Sequence, residues 1–506
     1  MIDHHEILTR ALNSHVPEVV PVPTPLEHAP RLSERLGRPV FLKREDLTPI
    51  FSFKLRGAHN RIAMLDERER SRGVIAASAG NHAQGVAYSA ARLGLEARVV
   101  MPRTTPAIKV EAVRRLGARV DLAGDDYSEA AACCLELAAA TGMTLIPPYD
   151  DLDVICGQAT IALEILRQAP PSLSAVFVPI GGGGLASGIA AVIKALRPAI
   201  KVIGVEPCDS DAMRRSLSAG RIVELEHVGI FADGVAVRRV GDLTFELCRR
   251  YLDDCIAVEI DEICAAIKDV FEDTRSVLEP AGALSVAGLK RVIGDGSLPA
   301  GAAVAIASGA NINFNRLGYV AESAAVGEHH EAILAATIPE RPGAFLEFLS
   351  ALGPRNITEF NYRLASRVDA QVFAGIEIAS REEGPKIAQL LRERGFECHD
   401  LTDNDLARSH VRHMVGGRSA EVKDELILSF EFPERPGALL KFLSALGSRW
   451  NISLFHYRNN GGAYGRVLCG LEAPPAAREE LRNRLREIGF AYQDETANWA
   501  ARLFLR

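Results

Sequence analysis

The chain has 506 residues, a length that suits about three to four domains. Hydrophobic residues make up 48% and charged residues 24%, which suffices for packed cores and excludes a disordered or fibrous chain. Lys plus Arg total 58 against 65 Asp plus Glu, so the net charge is −7, without the basic face that nucleic acid or an anionic membrane requires.

From about residue 74 to about residue 310, short apolar runs alternate with stretches of helical length. Strands are expected at 73–77, 97–101, 118–122, 175–178 and 201–205, and helices between them at 83–93, 108–116 and 185–196. Residues 302–307 read as the last strand of this part. Near-continuous Val, Ile and Ala runs alternating with helices predict an α/β unit whose parallel sheet is buried on both faces. The uncharged stretch 168–193 is broken by Pro170, Pro171, Pro179 and four consecutive glycines, so it reads as strand, glycine loop and helix rather than a membrane span.

After about residue 327 an internal repeat begins. Residues 338–353 recur as 432–447, including Pro342-Gly343-Ala344 as Pro436-Gly437-Ala438. Asn356-Ile357 and Tyr362-Arg363 return as Asn451-Ile452 and Tyr457-Arg458, and Gly395-Phe396 and Asp400 as Gly489-Phe490 and Asp494. Two copies are too few for a solenoid. Each reads strand, turn, helix, strand, strand, helix, strand, the ferredoxin-like βαββαβ order. The expected organisation is therefore 1–325 as one large unit, 330–403 and 425–506 as two small α+β modules, and 404–424 as a polar connector.

Nine cysteines, an odd number, show neither C-x-x-C nor Cys/His ligand spacing, so no disulfide framework and no metal site are expected. Reduced thiols and the lack of a secretory pattern at residues 1–6 suit a cytoplasmic protein with no membrane partner.

Four motifs can carry chemistry. Gly181-Gly182-Gly183-Gly184-Leu185 follows an apolar run and opens a helix, so its N–H groups can cradle a phosphate; the alternative is a plain tight turn. The spacing does not fit a dinucleotide fingerprint, although Glu206 stands at nearly the right distance for one. In Ser52-Phe53-Lys54-Leu55-Arg56-Gly57-Ala58, a lysine between apolar neighbours can lose water and become a nucleophilic amine. Alone, the motif is weak, since a lone lysine near an arginine is usually a surface residue. Lys43 is the rival, and its charged neighbours suggest a solvated salt-bridge cluster. Ser78-Ala79-Gly80-Asn81-His82 lies after a strand, where α/β ligands bind; His82 lacks an acidic partner and reads as structural. Ala307-Ser308-Gly309-Ala310-Asn311 occupies another strand end, with no nucleophile elbow around Ser308.

Taken in order, these motifs resemble the fold-type-II pyridoxal-phosphate enzymes, and within them the long, regulated threonine deaminase (threonine ammonia-lyase) family. Pro23-Thr24-Pro25-Leu26, Lys43-Arg44-Glu45-Asp46 and Glu279-Pro280-Ala281-Gly282-Ala283 belong to the likeness, as does the stretch His413 to Arg418. The repeat resembles that family's paired ACT-like regulatory subdomains. The resemblance implies a two-lobed catalytic domain in which Lys54 holds pyridoxal 5'-phosphate covalently. By the same resemblance Asn81 bonds the cofactor's 3' oxygen, Gly181, Gly182, Gly183, Gly184 and Leu185 hold its phosphate, and Ser308 faces the pyridine nitrogen. Ser78, Ala79, Gly80, Asn81 and His82 are implied to hold the substrate carboxylate. Ala159 stands where the family usually has glycine, in Gly157-Gln158-Ala159-Thr160, and its methyl would matter if a ligand came close to this backbone.

The implied reaction is loss of water and ammonia from L-threonine, with L-serine as an alternative substrate, to give 2-oxobutanoate. Lys54 is the implied base, and either Lys54 or the cofactor phosphate the acid for the leaving hydroxyl. Isoleucine, with valine as a possible antagonist, is the implied effector of a homotetramer, at Asn356, Tyr362, Asn451 and Tyr457. Serine racemisation, β-replacement on the same fold, or an amino-acid sensor with a silent catalytic domain are the alternatives.

Overall fold

In the computed structural model the described residues are 2–506 except 230, 328–330, 365–366, 405–406, 408–410, 414–418, 420, 434–437, 447–448, 459–463, 490–491, 499–500, 502–504 and 506. The chain divides into two units, 1–327 and 328–506.

In the first unit, strands that lack polar alternation are covered on both faces. Leu173–Pro179 and Ala302–Ala307 are almost wholly buried and lie in the middle of a six-stranded sheet. Its order is Leu26–His28, Val40–Arg44, Ala302–Ala307, Leu173–Pro179, Lys201–Pro207 and Asp254–Val258. Every pairing is parallel except that of the edge strand Leu26–His28. A second, four-stranded sheet runs Arg119–Leu122, Ala97–Met101, Val74–Ala77 and Thr144–Leu145, parallel throughout. The expected strands are all present, yet they belong to two sheets, each with its own core. Alternation along the chain predicts parallel strands but carries no label for which sheet each one joins.

Two helices join the lobes. Lys54–Ala63 crosses Leu152–Gln168 where both lack a side chain: a Cβ on Gly157 would lie 2.7 Å from the Arg56 carbonyl oxygen. Beneath this crossing lies a buried ion cluster. The Arg56 guanidinium donates to Glu45 Oε2 at 2.8 Å and Glu164 Oε1 at 2.6 Å, and Lys43 Nζ donates to Glu164 Oε2 at 2.5 Å. Lys43 is completely buried, so the expectation of a solvated cluster is corrected: the Glu164 carboxylate, the Gln168 amide oxygen and the Thr24 carbonyl replace its water. Ala159 is also buried, 3.2 Å from where a Cβ on Gly188 would stand. Its methyl therefore fills a helix–helix contact.

The second unit builds the βαββαβ order twice. The first copy is Glu331–Pro339, Ala344–Leu352, Ile357–Arg363, Asp369–Glu377, Glu383–Glu393 and Glu397–Asp400. The second is Glu425–Pro433, Ala438–Leu446, Asn451–Arg458, Tyr464–Glu472, Arg478–Ile488 and Tyr492–Asp494. They merge into one eight-stranded sheet, because Ile357–Arg363 pairs antiparallel with Asn451–Arg458. The repeat-equivalent residues Asn361 and His456 face each other there, so the copies are related by a local two-fold. The helix starts at Pro436 and Gly437, together with Phe490 and residues 414–418, lie outside the described residues.

The stretch after each copy repeats as well. The Leu401 N–H donates to Ile333 O at 2.7 Å, and the Glu495 N–H to Ile427 O at 2.8 Å. Ala407 and Val411 pack on Ile333 and Phe373, while Ala501 and Leu505 pack on Ile427 and Leu454. Arg412 is buried between Glu331 and Glu359. Part of the expected connector thus covers the outer face of the first copy's sheet.

The substitution Gly157→Ala should press a methyl into the helix crossing and cost about 1–3 kcal/mol. Chemical denaturation of the full chain would register this as a lower first midpoint.

Candidate functional site

In open parallel sheets, ligands gather at the carboxyl ends of the strands. Here Leu173–Pro179 feeds the glycine loop, Ala302–Ala307 leads into Ser308 and Val74–Ala77 into the 78–82 loop. One cavity collects these ends. It is lined by Lys54, Asn81, Gly181, Gly182, Gly183, Gly184, Leu185 and Ser308, with Phe53, Tyr149, Pro179, Gly234, Val235, Glu279 and Ala281. Ser78, Ala79, Gly80 and His82 do not border it.

Lys54 opens its helix, and the residues before it are tied to the strand end at Ser308. The Phe53 N–H donates to Ser308 O at 3.1 Å, and the Ala310 N–H to Phe51 O at 2.9 Å. Lys54 Nζ donates to the Pro148 carbonyl at 2.8 Å and lies 5.4 Å from the centre of the Phe53 ring. Burial pushes this amine down to about 8, although the negative charge of Glu279 works in the other direction. Among the described residues no carboxylate forms an ion pair with it. A substantial fraction is therefore neutral near physiological pH.

The glycine loop is shaped by what lies behind it. A Cβ on Gly182 would fall 2.2 Å from the Tyr149 ring, and Gly183 has φ +96° with Met213 and Thr244 against it. Thr244 Oγ1 donates to Gly182 O at 2.6 Å, and the Asp150 carboxylate accepts the N–H groups of Asp242, Leu243 and Thr244. The first helical bond is that of the Ser187 N–H to Gly183 O. The N–H groups of residues 181–186 thus find no acceptor among the described residues. These unpaired donors at the head of a 13-residue helix fit a phosphate dianion.

Ser308 Oγ donates to Ala281 O at 3.2 Å; it is buried and uncharged. Asn81 Nδ2 donates to Glu279 Oε1 at 2.5 Å, while Asn81 Oδ1 accepts from Asn311 Nδ2 at 2.7 Å. Ser78 Oγ accepts the N–H groups of Gly80 and Ala83, both at 3.3 Å. His82 bonds Ile146 O at 2.9 Å, and burial and the Lys54 charge push its imidazole down to about 3, so it stays neutral. Glu206 is buried and accepts the Met213 and Arg214 N–H groups at a helix start. Sequence reasoning missed Tyr149 and assigned no role to Glu279. The Pro147-Pro148-Tyr149-Asp150 run after a short strand marks a bend without revealing that it backs the glycine loop.

In the second unit, Tyr362 Oη bonds Glu340, and Asn451 Nδ2 donates to Glu340 Oε1 at 3.0 Å and to Glu472 Oε2 at 2.9 Å. Phe345 lies edge-on to Tyr362 at 4.7 Å, and Arg367 pairs with Glu472 at 2.9 Å. Burial raises the Glu340 carboxyl above the usual range. Asn356 Nδ2 donates to Glu377 Oε2 at 2.7 Å, the repeat-equivalent of the Asn451–Glu472 bond, and Tyr457 is buried opposite Phe360. The first cluster therefore draws on both copies, and the repeat pattern assigned its carboxylates no role.

Residues 19–309 match the family described as pyridoxal-phosphate dependent enzyme, and residues 322–411 and 416–505 each match the C-terminal regulatory domain of threonine dehydratase. The biosynthetic L-threonine dehydratase of Burkholderia multivorans is 53% identical over 504 residues, covering 99% of both chains. That of Escherichia coli is 51% identical, covering 99% of this chain and 97% of its own. Among solved structures, the processed form of threonine deaminase isoform 2 from Solanum lycopersicum is 47% identical with a TM-score of 0.62. That match covers 64% of this chain and 88% of the tomato chain. Serine racemase from Dictyostelium discoideum is 32% identical with a TM-score of 0.56, over 62% of this chain and 99% of its own.

The amine of Lys54 should react with a small aldehyde along a titration curve centred near pH 8. A midpoint at the ordinary lysine value, read by peptide mapping of the labelled protein, would show the amine to be solvated.

Proposed function

We propose, from the premise that the chain belongs to the pyridoxal-phosphate-dependent biosynthetic threonine dehydratases, that it converts L-threonine to 2-oxobutanoate and ammonia, the entry to isoleucine synthesis. The observation that carries the site assignment is the convergence on one cavity of a desolvated lysine amine, a glycine loop with unpaired N–H groups and a buried neutral hydroxyl. When bound, pyridoxal phosphate supplies a conjugated ring that accepts the charge left as the α-proton departs.

The chain's own residues do the rest. Lys54 would hold the cofactor through its amine, and its lowered pKa would suit it to act as the base for the α-proton near neutral pH. The loop from Gly181 to Leu185 binds the phosphate through backbone N–H groups and the helix N-terminus. Ser308 would present an uncharged hydroxyl to the ring nitrogen and leave it unprotonated, which would limit charge build-up on the ring and favour loss of the β-hydroxyl. Asn81 holds the 3' oxygen, and the 78–82 loop with its helix start receives the substrate carboxylate. His82, held neutral, serves as a support for that loop. Lys54, newly protonated, is the acid available to the leaving hydroxyl. L-serine, lacking one methyl, is a weaker substrate of the same site.

The second unit is the regulatory part, and we assign isoleucine as its inhibitor, with valine opposing it. Tyr362 and Asn451 meet at Glu340, where an amino group would find carboxylates and an apolar side chain would find Phe345. Asn356 and Tyr457 mark the related place in the other half. No helix among the described residues is long and apolar enough to cross a membrane. A cytoplasmic homotetramer completes this reading.

Lys54→Ala should abolish both cofactor absorbance and threonine-dependent formation of 2-oxo acid; activity with the absorbance retained would refute the lysine assignment. Asn451→Ala should raise the isoleucine concentration for half inhibition by about tenfold while leaving uninhibited turnover in place. An unchanged inhibition curve would move the effector site elsewhere.

A further inference from the structure

Among the described residues that line the cavity, Glu279 is the one acidic side chain, and no step above uses it. It precedes the helix Pro280–Gly294 as its cap, yet its carboxylate makes no capping bond to that helix. Instead its backbone is fixed from two sides. The Glu279 N–H donates to Gly309 O at 3.1 Å, and its carbonyl accepts the N–H groups of Gly282 and Ala283. The side chain passes under Gly309, where a Cβ would lie 2.3 Å from Glu279 Oε1. Any other residue after Ser308 would displace it. Oε1 then receives the Asn81 amide hydrogen at 2.5 Å.

The opposite end of that amide is held as well. Asn311 Nδ2 donates to Asn81 Oδ1 at 2.7 Å and also to the Ile50 carbonyl at 2.8 Å. An asparagine amide has two N–H donors and one carbonyl acceptor, and in solution it turns freely. Here Asn311 donates to the oxygen and Glu279 takes one N–H, so the second N–H is the donor the amide has left for a ligand. We infer that Glu279 is a positioning residue, whose carboxylate locks the Asn81 amide so that its remaining N–H is presented to the cofactor's ring oxygen. This rests on the assignment of Asn81 to that oxygen.

Burial and the charge of Asp233 push the Glu279 carboxyl up to about 7, while Lys109, Arg316 and Lys54 attract its negative form. The orienting bond should therefore be strongest above neutrality, when the acceptor is ionised, and weaken as pH falls through about 7.

The test is titration of the apo form of the full chain with pyridoxal phosphate, followed by absorbance, across pH 6 to 9. Glu279→Ala should weaken cofactor binding by about tenfold and shift the bound band, because the amide is freed. Glu279→Gln keeps an acceptor oxygen, so it should bind within about threefold of the parent chain and lose the change in affinity near pH 7. Asn311→Ala releases the same amide from its other end and should reproduce the alanine result, which preserves the test if Glu279→Ala fails to fold. Tight binding and an unshifted band in both alanine variants would overturn the inference, as would Glu279→Gln binding as poorly as Glu279→Ala. If Asn81→Ala itself leaves binding unchanged, it is the assignment of Asn81 that fails; if only Asn81→Ala weakens binding, that assignment stands and Glu279 has no positioning role.

Discussion

The chemistry of the first unit depends on one constraint: a lysine amine must be kept among protein atoms without an ion-pair partner. Left exposed, it would be protonated and inert at neutral pH; paired with a carboxylate, it would be held charged. The structure meets this by giving Lys54 a single carbonyl acceptor at Pro148 and an aromatic neighbour, Phe53. The charges are taken up two residues further on. Arg56 on the same helix is clamped by Glu45 and Glu164, with Lys43 completing the cluster, so the helix start cannot drift while the amine stays unpaired. Removing one member of such a cluster strands the others, which makes it a device for fixing position more than for adding stability.

The segment 148–150 ties the remaining parts together. Its proline carbonyl holds the amine, its tyrosine ring backs Gly182, and its aspartate caps the helix whose Thr244 grips the glycine loop. Lysine amine and glycine loop are thus spaced by three consecutive residues. In the second unit a different economy operates. A duplicated module closes on its sibling through one strand pair, and the polar cluster at Glu340 exists only because that pairing brings Asn451 of one copy to Tyr362 of the other.

Legibility followed the range of the physics involved. The strand Ala302–Ala307 and the helix Gly184–Leu196 could be read directly, since burial on both faces and helical spacing are local patterns. Lys54, Asn81, Ser308 and the four glycines were visible as motifs at strand ends. Lys43 was misread because its neighbours Arg44, Glu45 and Asp46 look solvated in a row; only the fold shows that Glu164, 121 residues away, replaces the water. Glu279 and Tyr149 went without roles for the same reason, as their partners Asn81 and Gly182 lie far off along the chain.

By itself the sequence determined the α/β character of the first unit, the duplicated modules of the second and the residue types available for lysine-based chemistry, because periodicity and repetition are written in neighbouring residues. The tertiary structure alone decided that the strands divide between two sheets, that the two modules share one, and that a bare amine, a glycine loop and a fixed amide meet in one cavity. Those outcomes turn on desolvation and on hydrogen bonds between residues distant in the chain, and neither quantity exists until the chain has folded.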